Sequence, residues 1–312
     1  MNCKPSSSQY IKHELTPQMY NFLKELPKCE HHLHIEGTLE PELLFTLAKK
    51  NSVTLPNDFP RSIQELKSKY LTFTDLQSFL DLYYVGCNVL ITEDDFYELA
   101  MDYFNKVSKQ GLKHAEIFFD PQSHTSRGID INTIYNGLNK ACLEINEKQG
   151  ITTKVIMCLL RHLPVDECLS TIDLASDLIR ENKIHGLGLD SSEKPFPPEL
   201  FKECYSKAAA VSANVNNNLR LTAHAGEEGG PDYVSNSLKH LNVERIDHGI
   251  NSYKDDLLMN ELSSRKILLT VCPLSNVRLK VVKDVGELPL DWPKTVSNVR
   301  GAMKKERKNY MP

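Results

Sequence analysis

The sequence predicts an α/β barrel of parallel strands that alternate with helices. Three observations lead to this prediction. Apolar, strand-like stretches alternate with amphipathic helical stretches through most of the chain. Histidines and carboxylates follow several of these strands at the end where a barrel gathers its functional side chains. The length of 312 residues suits one such barrel better than two domains.

The N-terminal third of the chain is expected to hold one strand among several helices. Thr16 followed by Pro17 predicts a short first helix, because proline fits the first turn of a helix. The first strand is predicted at residues 28–34. Two prolines predict an irregular stretch over residues 51–69. Further helices are predicted at residues 41–50, 76–90 and 92–111.

Regular alternation begins at residue 113. The predicted strands after the first cover residues 113–119, 152–160, 184–190, 220–225, 244–248 and 267–271. The predicted helices between them cover residues 131–148, 166–181, 198–212, 232–241 and 254–265. Strands that alternate with helices form parallel sheets, so seven parallel strands are predicted.

Composition argues against a nucleic-acid or membrane partner. The formal net charge is −4, and no apolar run is long enough to span a bilayer. The polar N-terminus lacks the apolar core of a signal peptide. We therefore expect the protein in the cytoplasm, with the nucleus as an alternative. The eight cysteines include no Cys-x-x-Cys, which argues against a zinc ribbon or a disulfide scaffold. The oligomeric state is left open.

The chemistry is indicated first by His32-Leu33-His34, at the end of the first predicted strand. Residues two apart on a strand share a face, and two neutral imidazoles on one face can bind a metal ion. His224 follows in the fifth strand and His248 in the sixth, so a barrel would bring all four imidazoles to one mouth. Four of eleven histidines at strand ends are not expected as mere core residues. A zinc ion bound there would make hydroxide available near neutral pH.

Two further residues suggest how protons would move. Glu227 lies three residues beyond His224, on the turn that would face a substrate. A carboxylic acid in a dry pocket has a raised pKa and can stay protonated as a proton donor. His248 would orient the attacking water or take its proton.

These motifs resemble those of the adenosine/AMP deaminase superfamily. Residues 27–37, 222–227 and 245–249 resemble the opening, fifth-strand and sixth-strand motifs of that superfamily. Residues 118–124, 184–193 and 269–276 are more similar to the adenine deaminase branch than to the adenosine branch. The resemblance covers about residues 26–290.

The resemblance implies a TIM-type (β/α)8 barrel of the metal-dependent hydrolase kind. It implies hydrolytic deamination of a small purine, adenine, to hypoxanthine and ammonia in purine salvage, with one Zn²⁺ per chain. The implied zinc ligands are His32, His34 and His224. Glu227 matches the proton donor, and His248 matches the histidine near the attacking water. Deamination of adenosine or of N6-substituted AMP is the alternative.

The sequence departs from the family pattern at two places. His31 stands where leucine is usual, and we expect it to point away from the metal and to be neutral for function. The Ser-x-x-Asp-Asp-Pro motif, which supplies the last metal-ligand aspartate after the eighth strand, does not occur in the sequence. We therefore expect an incomplete barrel at residues 26–290 that lacks its eighth strand. It would lie between an N-terminal extension, residues 1–25, and a basic tail, residues 291–312, that replaces or truncates the family's C-terminal part. A non-catalytic chain is the rival hypothesis.

Overall fold

Seven parallel strands form one sheet whose order follows the sequence. The computed structural model describes residues 16–215 and 218–288. The strands are β1 Lys28–His34, β2 Leu112–Phe119, β3 Thr152–Leu160, β4 Gly186–Asp190, β5 Arg220–Ala225, β6 Arg245–His248 and β7 Leu268–Thr270. The predicted barrel class and its seven strands are confirmed, and the described ranges contain no eighth strand. The predicted tail lies outside the described residues, and the three domain limits remain predictions.

Helices precede, connect and follow the strands of the sheet. They are α1 Pro17–Glu25, α2 Pro41–Lys50, α3 Ile63–Lys69, α4 Leu76–Cys87, α5 Glu93–Val107, α6 Gln122–Thr125, α7 Ile131–Gln149, α8 Val165–Leu174, α9 Ser176–Arg180, α10 Lys202–Ala213, α11 Pro231–Asn236, α12 Asp256–Arg265 and α13 Pro273–Arg278. Within the described part of the chain, none of them has both the length and the apolar character needed to cross a membrane.

The prediction of an irregular stretch at residues 51–69 is wrong for its last part, where α3 forms. Ser62 caps this helix, because its hydroxyl accepts a hydrogen bond from the backbone N–H of Glu65 at 3.2 Å. Two short helices, α6 and α13, were not predicted. Both follow directly after strands, so they belong to the loops that surround the mouth of the barrel.

Strand β1 is irregular, and this irregularity decides where its histidines point. Its pairing with β2 shifts register between Glu30 and Leu33. Glu30 faces the helices, where it accepts a hydrogen bond from the Tyr103 hydroxyl. His31 and His32 both face the interior, although neighbours on a regular strand alternate. Because of this bulge, His31 points into the barrel in addition to His32 and His34.

Close packing between α5 and α7 fixes the helical layer next to β1 and β2. A Cβ atom at Gly137 of α7 would lie 2.3 Å from the carbonyl oxygen of Glu93 and 2.7 Å from Cβ of Phe96. Only glycine permits this approach of the two helices.

We expect Gly137→Ala to lower the free energy of unfolding by about 1–3 kcal/mol, because the added methyl forces α5 and α7 apart. Urea unfolding followed by circular dichroism measures the change. Leu143→Ala, on the exposed face of the same helix, is the control and should change stability by less than about 0.5 kcal/mol. Equal stability of Gly137→Ala and the parent protein would contradict this account of the packing.

Candidate active site

Three imidazoles converge at the C-terminal mouth of the barrel. The Nε2 atom of His224 lies 3.0 Å from Nε2 of His34 and 3.0 Å from Nε2 of His32. The ring of His248 lies 4.8 Å from that of His32, centroid to centroid. The fold thus brings together the four histidines that the sequence singled out.

The partners of the Nδ1 atoms define the tautomers of two of these histidines. Nδ1 of His224 lies 3.1 Å from the carbonyl oxygen of Leu189, which can only accept a hydrogen bond. Nδ1 of His34 lies 3.3 Å from a carboxylate oxygen of Asp190. The carbonyl places the proton of His224 on Nδ1, and the carboxyl group beside His34 favours the same tautomer there. In this tautomer Nε2 presents a lone pair to the neighbouring rings.

His32 reaches the same state through a hydroxyl relay. Its Nδ1 lies 2.9 Å from the Thr270 hydroxyl oxygen. That hydroxyl donates its own proton to Asp247 at 2.8 Å, so it must accept from His32. Burial lowers the pKa of both His32 and His224 well below the usual range, so a proton does not fill the gap between the rings.

This donor set fits a metal ion. Three lone pairs that face one another repel unless a cation lies between them. Ligand nitrogens about 2.0–2.1 Å from a tetrahedral zinc ion would be about 3.3 Å apart, close to the two separations of 3.0 Å from Nε2 of His224. The acceptors on the far side of each ring are the partners typical of metal-bound histidines.

Glu227 and His248 form a buried pair beside the three imidazoles. Oε2 of Glu227 lies 3.3 Å from Nε2 of His248. The Asn276 amide nitrogen lies 3.2 Å from Nδ1 of His248 and 3.4 Å from Oε1 of Glu227. Burial raises the pKa of Glu227 to about 8 and lowers the pKa of His248 to about 3. At neutral pH the acid is protonated and the imidazole is uncharged.

The backbone at His248 adopts an unusual conformation. Its φ is 68°, in the left-handed region that residues with a Cβ rarely occupy. Gly249 follows with φ 70°, and its N–H donates to the Ala225 carbonyl at 2.9 Å. The chain thus turns sharply where β6 ends. Such strain is typical of functional sites.

Glu193 fixes the loop that carries Glu227. One of its carboxylate oxygens accepts from the backbone N–H of Gly226 at 2.6 Å. The other accepts from the N–H groups of Glu228 and Gly229, both at 2.6 Å. Glu193 lies in the motif at residues 184–193, but the sequence alone predicted no role for it.

Two aspartates at strand ends were also missed. Asp120 follows β2, and Asp190 ends β4; one ligand atom from each lies within 4.8 Å of His34 and of the other aspartate. Burial raises the pKa of Asp190 to about 7, and burial together with the Asp190 charge raises the pKa of Asp120 well above its usual range. The position of both aspartates at strand ends was the available signal.

A cavity of about 260 Å³ opens above these polar groups. Apolar and aromatic side chains cover it. They come from α4 and from the residue that follows α13: Leu76, Phe79, Leu80, Tyr83, Tyr84 and Leu279. A polar floor under an apolar cover suits a small, flat ring with hydrogen-bonding edges.

Comparison with known proteins identifies the family. The adenosine deaminase family model matches residues 27–298. This chain belongs to the adenosine deaminase family. The adenine deaminase of Kluyveromyces lactis is 58% identical over 89% of this chain and 78% of its own length. That of Saccharomyces cerevisiae is 60% identical over 86% of this chain and 76% of its own. The predicted resemblance is confirmed.

Solved structures agree with the fold. The crystal structure of an adenine deaminase from Arthrobacter aurescens superposes with a TM-score of 0.78 at 44% identity, over 87% of this chain and 79% of that one. An amidohydrolase from Burkholderia ambifaria with bound Zn superposes with a TM-score of 0.75 at 25% identity, over 87% and 71%. The barrel of the metal-dependent hydrolase kind is thereby confirmed.

We expect Glu193→Ala to lower the free energy of unfolding by about 3 kcal/mol or more, because three backbone N–H groups lose their acceptor in a buried loop. Urea unfolding measures the change. Glu199→Ala is the control: Glu199 is exposed and accepts a hydrogen bond from Asn236. If both variants lose the same small amount, Glu193 does not fix the loop.

Proposed function

We propose that this chain catalyses the hydrolytic deamination of adenine to hypoxanthine and ammonia, with a zinc ion bound by His32, His34 and His224. The observation that carries the proposal is the convergence of three Nε2 lone pairs beside a protonated Glu227. Relatives named adenine deaminase support the substrate, and the zinc in the Burkholderia amidohydrolase supports the metal. The cytoplasmic location stays a prediction.

Glu227 can provide the protonation that deamination of adenine requires. The amino-bearing carbon of adenine is a poor electrophile until the adjacent ring nitrogen is protonated. Glu227 is protonated at neutral pH and lines the cavity, so it can donate that proton. When bound, the zinc ion supplies hydroxide near neutral pH. The oxygen of water forms the new carbon–oxygen bond, and the carbon–nitrogen bond breaks to release ammonia.

His248 orients water and does not change its charge near neutral pH. Asn276 donates an N–H to Nδ1 of His248, so the proton of the neutral ring lies on Nε2. With a pKa of about 3, the ring stays uncharged across the physiological range. Of the two roles predicted for His248, this tautomer favours the orientation of water through a donated N–H.

The cavity favours a free base over a nucleotide. Its volume of about 260 Å³ is below the range usual for drug-sized ligands. Among the described residues that line it, none is Lys or Arg, the side chains that typically bind phosphate. This observation separates adenine from N6-substituted AMP as the substrate.

Ultraviolet absorbance tests the proposal directly. Zinc-loaded protein should convert adenine, chelation should stop the reaction, and added zinc should restore it. Glu227→Gln should lower kcat/KM at least about 100-fold, because it removes the proton donor. Glu199→Gln is the matched surface control and should retain the activity of the parent protein.

The other outcomes are equally informative. Folded, zinc-loaded protein that leaves adenine unchanged would refute the proposal and favour the non-catalytic alternative. Conversion of adenosine or N6-methyl-AMP without conversion of adenine would favour the other substrates.

The pH profile should report Glu227. Its protonated form is the active one, so kcat/KM for adenine should be level below about pH 8 and fall towards tenfold per pH unit above it. In Glu227→Gln the residual activity should lack this decline. Circular dichroism over the same pH range controls for unfolding. A profile that rises above pH 8 would show that the ionised carboxylate is the active form.

A further inference from the structure

A second cluster of possible metal ligands lies at the opposite mouth of the barrel. One ligand atom from each of His31, His114 and Glu116 lies within 4.8 Å of the other two. Nδ1 of His31 lies 3.0 Å, and Nε2 of His114 lies 3.9 Å, from the same Glu116 oxygen. The residues belong to β1 and β2, which are neighbours in the sheet. The proposed deamination uses none of them.

The His114 ring has its lone pair turned towards the carboxylate. Its Nδ1 lies 2.7 Å from the Thr152 hydroxyl oxygen. That hydroxyl donates to the Lys113 carbonyl at 3.4 Å, so it accepts from His114. Nε2 of the neutral ring is then unprotonated and faces a carboxylate oxygen of Glu116, an arrangement that a cation would stabilise.

Glu116 is an ionised carboxylate whose two oxygens face different partners. The second oxygen of Glu116 accepts from Arg245, whose Nε also donates to Asp247 at 2.9 Å. Glu116 and Asp247 therefore share one guanidinium, and Lys154 lines the same cavity. Burial alone would raise the pKa of Glu116, but the hydrogen bond from His31 and the charge of Arg245 outweigh it and lower that pKa to about 2. The carboxylate is therefore ionised.

The cluster is open to solvent. The side chain of His31 is 43% exposed. A cavity of about 600 Å³, lined by His114, Glu116 and His185 among others, opens beside it. Water can thus complete the coordination of an ion that three protein atoms bind.

We propose that His31, His114 and Glu116 form a second metal site, which takes a divalent transition-metal cation such as Zn²⁺. Two imidazoles and one carboxylate are ligands suited to zinc, whereas Mg²⁺ and Ca²⁺ prefer sites made of oxygen atoms. An ion here would join β1 to β2 below the His32 side of the active site. His31, for which the sequence predicted no effect on function, would be one of the ligands of this ion.

Zinc stoichiometry tests this site. Parent protein and variants are dialysed against the same excess of Zn²⁺, and bound zinc per chain is measured by mass spectrometry. His31→Gln and His114→Gln should each bind one ion fewer than the parent protein. His185→Gln, which removes a histidine from the same cavity outside the cluster, should bind as many ions as the parent.

The measured quantity is the difference in bound zinc between the parent protein and each variant. A difference of one ion therefore tests the second site at any zinc content of the active site. Equal zinc in the parent and both cluster variants would overturn the proposal and leave the cluster as an ion pair, as would an equal loss in His185→Gln. Crystals of the parent protein grown with excess Zn²⁺ give a test that needs no variant. An anomalous zinc peak between the three side chains supports the site, and its absence contradicts it.

Discussion

The convergence of three imidazoles at the mouth of the barrel is the constraint on which the rest of the structure depends. Each ring must keep its proton on Nδ1, and each Nδ1 is bound by a different group: the Leu189 carbonyl, the Asp190 carboxylate and the Thr270 hydroxyl. These partners lie on β4 and β7, while the imidazoles lie on β1 and β5. Four strand ends must therefore meet within a few ångströms, which parallel strands wound in sequence order achieve at one mouth.

Burial serves two opposite purposes within this small volume. It lowers the pKa values of His32 and His224, which keeps these rings uncharged, and it raises the pKa of Glu227, which keeps that acid protonated. The same dry environment thus favours uncharged imidazoles and a protonated acid side by side. Asn276 links the two parts, because one amide contacts both the acid and His248.

The sequence was most informative where local rules decide the outcome. Periodicity located all seven strands with bounds within two residues of those observed, and the His-x-His spacing pointed to two of the histidines that meet at the mouth of the barrel. Prolines near residue 60 suggested irregularity, but the Ser62 cap starts a helix there. The roles of Asp190, Glu193 and Asn276 depend on contacts between distant segments, which no local pattern encodes. The bulge in β1 depends on pairing with β2, so the inward orientation of His31 could not be read from one strand.

The contact between His32 and Thr270 spans the two outermost strands of the sheet. Within the described residues, β1 and β7 share no backbone ladder, yet this side-chain hydrogen bond of 2.9 Å joins them. The proposed ion would stabilise the tautomer that makes the bond, and the bond holds the ring where that ion would bind. Closure of the barrel and metal affinity are thereby linked reciprocally. On the proposed ligand set, a change that loosens the seam between these strands would weaken metal binding, and the loss of metal would loosen the seam to the same extent in free energy.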